Sequence, residues 1–346
     1  MTAMNRVDLG PAAGEKLNVS QLGFGGMALS HVYGDTDPEQ GLRTLHAVVD
    51  AGITFLDTAD VYGEPREGTE GPAGTNEELF ARLLAERRGE VQLATKFGIT
   101  SVGPGGSGTR GDAAYVRQAC EASLRRLGVE VIDLYYLHRP DPGVEIEETV
   151  GAMAELVAEG KVRHLGLSEV TADELRAAQA VHPITAVQSE WSIWSRDVER
   201  HVVPACAELG VGFVPYSPLG RGFLTGKLTR EAIEKTVLNG QLRFSGEAYD
   251  ANQRVVEVIN TVAAEHDATA AQVALAWLLG QGERFGLPVV PIPGTRSAER
   301  VRENAAAVDL ELTEQDRERL DAAADLVVGE RGLTFTPRGW ISADRE

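Results

Sequence analysis

The chain has 346 residues, 43% hydrophobic and 25% charged, with 33 Lys and Arg against 52 Asp and Glu, for a formal net charge of −19. This composition excludes wholesale disorder, and the acidity argues against nucleic acid or a polybasic membrane contact, since both need a basic footprint. Two cysteines exclude a disulfide scaffold or a multi-cysteine metal site. Cys120 and Cys206 are expected as small core residues. No apolar run reaches transmembrane length, and the N-terminus lacks the pattern of a signal peptide, so a cytoplasmic protein with no membrane partner is expected.

In chain order, residues up to about 20 read as a β-hairpin, placed to plug the bottom of a barrel. Eight short apolar runs follow, starting at Leu22, Thr54, Val91, Val131, Val162, Thr185, Val211 and Pro288. Several are near-continuously apolar, as strands buried on both faces should be. Helical patterns fall between them. Leu42, Leu45 and Val49 share one face, and so do Leu79, Leu83 and Leu84. Asp112 reads as an N-cap for a helix that closes at Gly128, and Thr171 with Glu174 reads as a capping box. Val150, Met153 and Leu156 make a stripe that ends at Gly160, and a run through Cys206 ends at Gly210. Strand–helix alternation of this kind implies parallel strands with crossover helices. Eight strands, with no G-x-G-x-x-G after the first, favour a closed (β/α)8 barrel over an open doubly wound sheet. One domain is expected over 1–346, with a barrel core of about 22–306. Residues 220–252 read as an insertion after the seventh strand. Two helices follow it, beginning near Ala251 and Thr269, and the stretch after Ala324 is an irregular C-terminal addition.

Polar residues mark the C-terminal ends of many different strands, where barrel chemistry sits. Asp57 ends the second strand, with Tyr62 five residues on, Lys96 ends the third, and His138 ends the fourth. A neutral tyrosine is a poor acid, a nearby ammonium should lower its pKa, and a carboxylate should fix that ammonium. An imidazole can orient a substrate oxygen. The set suits protonation of an oxygen as charge develops on it.

These motifs resemble the aldo-keto reductases, in particular the bacterial and plant aldehyde-reductase branch close to potassium-channel β subunits. "GITFLDTADVYG" with "NEELFARLL" is similar to the first family signature, "ATKFG" to the lysine motif and "DLYYLHRPDP" to the histidine motif. "HLGLSEV", "VQSEWSIWSRDVE", "PYSPLGRGFLTGK" and "PIPGTRSAERVREN" complete a resemblance running from about Leu22 to Asn304. The resemblance implies NADPH-dependent reduction of a small-molecule carbonyl on a (β/α)8 barrel. Tyr62 would be the general acid, Lys96 with Asp57 would tune it, and His138 would orient the carbonyl. It also implies that Ser168 and Gln188 hold the carboxamide of the cofactor and that Tyr216 stacks on the nicotinamide. The loop carrying Ser217, Leu219 and Arg221 would follow the pyrophosphate. Gly294, Thr295 and Arg296 would bind the 2′-phosphate, with Arg300, Glu303 and Asn304 around the adenine. An arginine fork suits a phosphate better than a diol, which favours NADPH over NADH.

Glu169 stands where many members carry Asn, which leaves the second carboxamide contact open. The loop between Gly63 and Thr75 is longer than usual for the family, and the insertion and the tail are atypical. His31, Tyr33, Trp191 and Trp194 are candidate pocket walls. No charged substrate anchor is evident, so an apolar carbonyl compound is expected. A monomer or weak homo-oligomer is the family default. Two other classes stay open: a cofactor-binding regulatory protein, and a barrel lyase using Lys96 as a Schiff base. Global acidity is expected on outer helices, including 76–90 and 146–160. A basic cluster of Arg221, Lys227, Arg296, Arg300 and Arg302 is expected at the phosphates.

Overall fold

A computed structural model describes residues 4–12, 14–30, 36–63, 72–101, 108–332 and 337–346. His31 and Tyr33 lie outside the described residues. Strands β1 (Arg6–Leu9) and β2 (Leu17–Ser20) form the expected antiparallel hairpin. The barrel strands are β3 (Gly23–Gly25), β4 (Phe55–Asp57), β5 (Gln92–Phe97), β8 (Ile132–Leu137), β9 (Val162–Ser168), β10 (Ile184–Glu190) and β11 (Gly212–Tyr216). They are parallel and hydrogen-bonded in the order β11-β10-β9-β8-β5-β4-β3. A short antiparallel pair, β6 (Ile99–Ser101) and β7 (Gly108–Thr109), stands on the rim after β5.

The eighth strand is irregular for a chemical reason. Pro288, Pro291 and Pro293 have no N–H to donate, so its ladder is incomplete, and Pro291 and Pro293 can only accept from β3. Val290 and Ile292 donate to Phe213 and Pro215 at 2.9 and 3.1 Å. Gly23 and Gly25 donate to the carbonyls of Pro291 and Pro293 at 2.9 and 3.3 Å. These bonds join β11 to β3 and close a (β/α)8 barrel.

Eleven helices are described: α1 (Pro38–Asp50), α2 (Thr75–Arg87), α3 (Ala113–Leu127), α4 (Ile146–Ala158), α5 (Ala172–Val181), α6 (Val202–Leu209), α7 (Arg230–Glu234), α8 (Gly246–Glu265), α9 (Ala270–Phe285), α10 (Ala298–Ala305) and α11 (Glu314–Ala322). The Asp112 cap, the left-handed Gly128 stop and the Thr171–Glu174 box form as expected. The insertion after β11 is more ordered than its weak periodicity implies. It contains α7, and α8 begins at Gly246 rather than near Ala251.

Two apolar cores result. One lies between barrel and helices and includes Cys120 and Cys206, whose thiols burial pushes above the ordinary range, Cys120 to about 12. The other fills the barrel interior, where Leu9, Leu17 and Val19 of the hairpin pack under Phe55, Leu134, Tyr136, Val214 and Ile292. This hairpin plugs the bottom, so chemistry is confined to the top. Gly166 is required there, because a Cβ would lie 2.4 Å from the Tyr136 ring. Among the described residues no helix is long and apolar enough to cross a membrane, and no group of three or more His, Cys, Asp or Glu could hold a metal.

Candidate active site

A cleft of about 1750 Å³ opens over the C-terminal ends of the strands. That exceeds the roughly 300–1,000 Å³ typical of a drug-sized ligand and suits a dinucleotide with a second molecule. At its floor, the ends of β4, β5 and β8 bring Asp57, Lys96 and His138 together, with Tyr62 on the loop above. Lys96 is fully buried, and its Nζ donates to Asp57 Oδ1 at 2.6 Å, to the Thr58 carbonyl at 2.8 Å and to Tyr62 Oη at 3.3 Å. Asp57 is in turn held by Gln188 Nε2 at 2.8 Å. The Tyr62 and His138 rings meet edge to face with centroids 5.7 Å apart.

The electrostatics differ from the expectation of a depressed tyrosine pKa. Burial raises the Tyr62 hydroxyl above its ordinary value; Lys96 pulls it down and Asp57 pushes it up, and the net direction is upward. Tyr62 is thus kept protonated, as a donor. Burial opposes the charge on Lys96, but Asp57 and Tyr62 outweigh it, and its pKa is raised. Burial, followed by Arg139 and Lys96, drives His138 well below its usual range, so the imidazole is neutral. Its Nδ1 is buried without a hydrogen-bond partner among the described residues.

Ser168 and Tyr216 line the cleft at the ends of β9 and β11, and Gln188 lines it from β10. Gln188 is partly committed already, through its bond to Asp57. Ser217, Leu219 and Arg221 line the next stretch. There the backbone turns through left-handed conformations at Ser217, Gly220, Arg221 and Gly222, and the glycines make two of these inexpensive. Arg221 lies 3.4 Å from Glu190, so its charge is shared with a carboxylate. Gly294, Thr295, Arg296, Arg300, Glu303 and Asn304 line the far end, where Ser297 caps α10. Lys227 reaches Glu303 at 3.5 Å.

Several expectations need correction. Trp191 and Trp194 are core residues rather than pocket walls. Trp191 packs on Phe213 and Phe285 and donates to Glu199, while Trp194 stacks on Phe223 at 4.9 Å. Arg302 does not border the cleft. The acidity is not all on outer faces: Glu77 is fully buried, bonded to Thr95 and Arg126. Beside it, among the described residues neither oxygen of buried Asp60 meets a hydrogen-bond partner. Burial, then Glu77, raises Asp60 well above the carboxylate range. A charged side chain does face the cleft, namely Arg139, whose Nη1 donates to the His138 carbonyl at 2.6 Å and to Ser168 Oγ at 3.1 Å.

The atypical C-terminal addition also reaches the site. Gly332, Trp340 and Ile341 line the cleft, and Arg331 is buried against Glu169. No local pattern announces this pair, which is 162 residues apart in the chain.

The sequence matches the model of the aldo/keto reductase family over residues 21–325. The chain belongs to the aldo/keto reductase family. A curated relative, the probable aldo-keto reductase 1 of Glycine max, is 49% identical over 301 residues, covering 86% of this chain and 83% of that protein. The glycerol dehydrogenase of Gluconobacter oxydans superposes with a TM-score of 0.80 at 25% identity, covering 97% of this chain and 100% of that one. An aldo-keto reductase of Bacillus halodurans, solved in its holo form, gives 0.74 at 29% identity, covering 95% and 99%.

Proposed function

We propose that this family member reduces aldehydes and ketones to alcohols with NADPH, with Tyr62 as the proton donor. The observation that carries the reading is the buried Asp57–Lys96–Tyr62 chain facing a neutral His138 at the floor of a dinucleotide-sized cleft.

The residues present fit a nicotinamide dinucleotide. Tyr216 offers an aromatic face, and Ser168 with the amide oxygen of Gln188 offers polar partners for a carboxamide. Arg296, Arg300 and the α10 N-terminus offer cations and backbone donors for an anion. When bound, the reduced nicotinamide supplies the two electrons and the hydrogen that the carbonyl carbon receives.

The protein side of the reaction follows from the geometry. His138, neutral, orients the carbonyl oxygen by a hydrogen bond without competing for its proton. Tyr62 Oη delivers a proton to that oxygen and becomes a phenolate 3.3 Å from the Lys96 ammonium. At an effective dielectric of about 20, unit charges at that distance attract by about 5 kcal/mol. The attraction exists only once charge has formed on Tyr62, so it favours the transition state over the ground state. Asp57 keeps Lys96 charged for this purpose.

A Schiff-base lyase would need a neutral, accessible lysine. Lys96 is buried, triply hydrogen-bonded and held as an ammonium, which disfavours that reading. Arg139 is engaged by the His138 carbonyl and Ser168, and Met27, Val61, Pro72, Trp340 and Ile341 give the cleft apolar walls, which supports an apolar carbonyl substrate.

The test is absorbance at the nicotinamide band with a panel of aldehydes and each dinucleotide. NADPH oxidation that depends on the aldehyde is expected. Tight NADPH binding with no turnover on any aldehyde would instead favour a regulatory protein.

A further inference from the structure

Glu169 occupies a position of unusual demand. It sits immediately after β9 in a left-handed conformation, φ 54°, costly for a residue with a side chain. Its carboxylate is completely buried and accepts six hydrogen bonds from four residues. Arg331 Nη1 and Nη2 donate to its two oxygens at 2.8 and 3.0 Å, a bidentate fork. The Ser342 amide donates at 2.9 Å and the Glu190 amide at 3.1 Å. Tyr216 Oη donates at 2.8 Å. The Ser342 hydroxyl lies 3.3 Å away as well.

These partners belong to two different structures. Arg331 and Ser342 are in the C-terminal segment, and their neighbours Gly332, Trp340 and Ile341 line the cleft. Tyr216 ends β11 beneath the nicotinamide position of the proposed complex. The segment is further pinned by Arg331 Nε on Asp197 at 2.8 Å and by Arg345 on the Glu169 carbonyl and on Glu174. Burial alone would raise the Glu169 carboxyl, but Arg331 and the donors around it overcome this and hold it far below the usual range, as a permanent anion.

We propose that the Glu169–Arg331 pair is a positioning device: one carboxylate seats the C-terminal segment as a wall of the cleft and fixes the Tyr216 ring on which the cofactor lies. The inference rests on the proposed cofactor reading for its second half. Glu169 and Arg331 act through Tyr216, Trp340 and Ile341, and so they are positioning residues. The bidentate fork matters because it sets an orientation as well as a charge. The consequence is coupling: a substrate that presses on the wall and a cofactor that rests on Tyr216 bear on the same ion pair.

The experiment compares Arg331→Met, Arg331→Lys, Glu169→Gln, Tyr216→Phe and the double variant Glu169→Gln/Arg331→Met. The double variant removes both charges of the Glu169–Arg331 pair, leaving only the part-exposed Asp197 without its partner, and stays informative if a single variant fails to fold. Three readouts are taken: hydrogen exchange of residues 337–346 without cofactor, the NADPH dissociation constant by fluorescence, and KM and kcat for a small and a bulky aldehyde. Arg331→Met and the double variant are expected to speed exchange in the segment roughly tenfold or more. They should raise the NADPH dissociation constant several-fold and raise KM for the bulky aldehyde more than for the small one. Arg331→Lys, which keeps the charge without the fork, should fall between wild type and Arg331→Met. Tyr216→Phe should weaken NADPH binding while leaving the segment protected. A folded double variant with faster exchange but unchanged NADPH affinity and KM values would reduce the pair to a structural staple and overturn the proposal. Unchanged exchange would overturn it as well. If the wild-type chain binds NADPH but reduces no aldehyde, the functional reading fails, while exchange and affinity still decide the coupling.

Discussion

Replacing Asp57 by Asn removes half of a buried ion pair and leaves its shape nearly intact. In the wild type, Lys96 is 0% exposed, and among the described residues its only carboxylate partner is Asp57 Oδ1 at 2.6 Å. The replacing amide can still accept a hydrogen bond, but it leaves the ammonium without a counter-charge. Removing one partner of a buried pair costs about 3–5 kcal/mol. There is also a ceiling: a lysine can shed its proton, and from an ordinary pKa near 10.4 that costs about 5 kcal/mol at pH 7, at 1.36 kcal/mol per pKa unit. For 346 residues, an unfolding entropy of about 2.1 cal/mol/K per residue turns 3–5 kcal/mol into a Tm loss of about 4–7 °C. The pH dependence carries the sharper signature. In the wild type the raised Lys96 pKa contributes stability that is complete below the unfolded lysine value and lost only as pH rises through the higher folded value. In Asp57→Asn the folded Lys96 pKa falls below the unfolded one, so between the two the unfolded state binds more protons and stability rises with pH. Thermal melts of both proteins from about pH 7 to about pH 10 should therefore show the gap narrowing as pH rises. The rate constant kcat should fall about 10²–10³-fold, the scale for losing one preorganised charge donor. A Tm within about 1 °C of wild type, or a gap that is constant with pH, would refute the account of Lys96 as a buried, Asp57-dependent ammonium.

Because His138 is held neutral, the profile of kcat/KM should show no step from this residue between about pH 6 and pH 8. His138→Gln should lower kcat/KM about 10²-fold by steady-state assay. The depressed histidine pKa also makes the folded state bind fewer protons than the unfolded state. Wild type should thus lose stability relative to His138→Gln as pH falls below about 6.5, which urea unfolding checks. Changing Arg296 and Arg300 together to Met should weaken NADPH about tenfold, while NADH affinity by titration stays within about twofold, since two partly exposed charged contacts at up to about 1 kcal/mol each sum to about 1.4 kcal/mol.

The barrel and the catalytic floor were legible because both follow from local pattern. Near-continuous apolar runs mark buried parallel strands, and polar residues at the ends of such runs gather at the mouth; Asp57, His138 and Ser168 line the cleft, and Lys96 lies buried behind Tyr62. The cap at Asp112 and the stop at Gly128 depend on one or two residues and were equally readable. What escaped depends on distance or on environment. Glu169 and Arg331 meet across 162 residues, and nothing near Arg331 is periodic. Trp191 and Trp194 follow a strand end, which suggests a rim, but α9 and the turn after β11 bring Phe285 and Phe223 over them. The direction of the Tyr62 shift depends on how deeply the hydroxyl is buried, and a list of charged neighbours does not contain that. Glu77 sits in a run that reads as a helix start and Asp60 in the loop after the second strand, yet both are buried.

The central claim is that Tyr62 donates the proton to the carbonyl oxygen. Single-turnover oxidation of bound NADPH by a reactive aldehyde, in wild type and in Tyr62→Phe, tests it directly. The ring of the variant keeps its packing against His138, so NADPH affinity should be unchanged. Losing a positioned general acid should slow the chemical step about 10²–10⁴-fold. A Tyr62→Phe protein that binds NADPH normally and turns over at the wild-type rate would contradict the account.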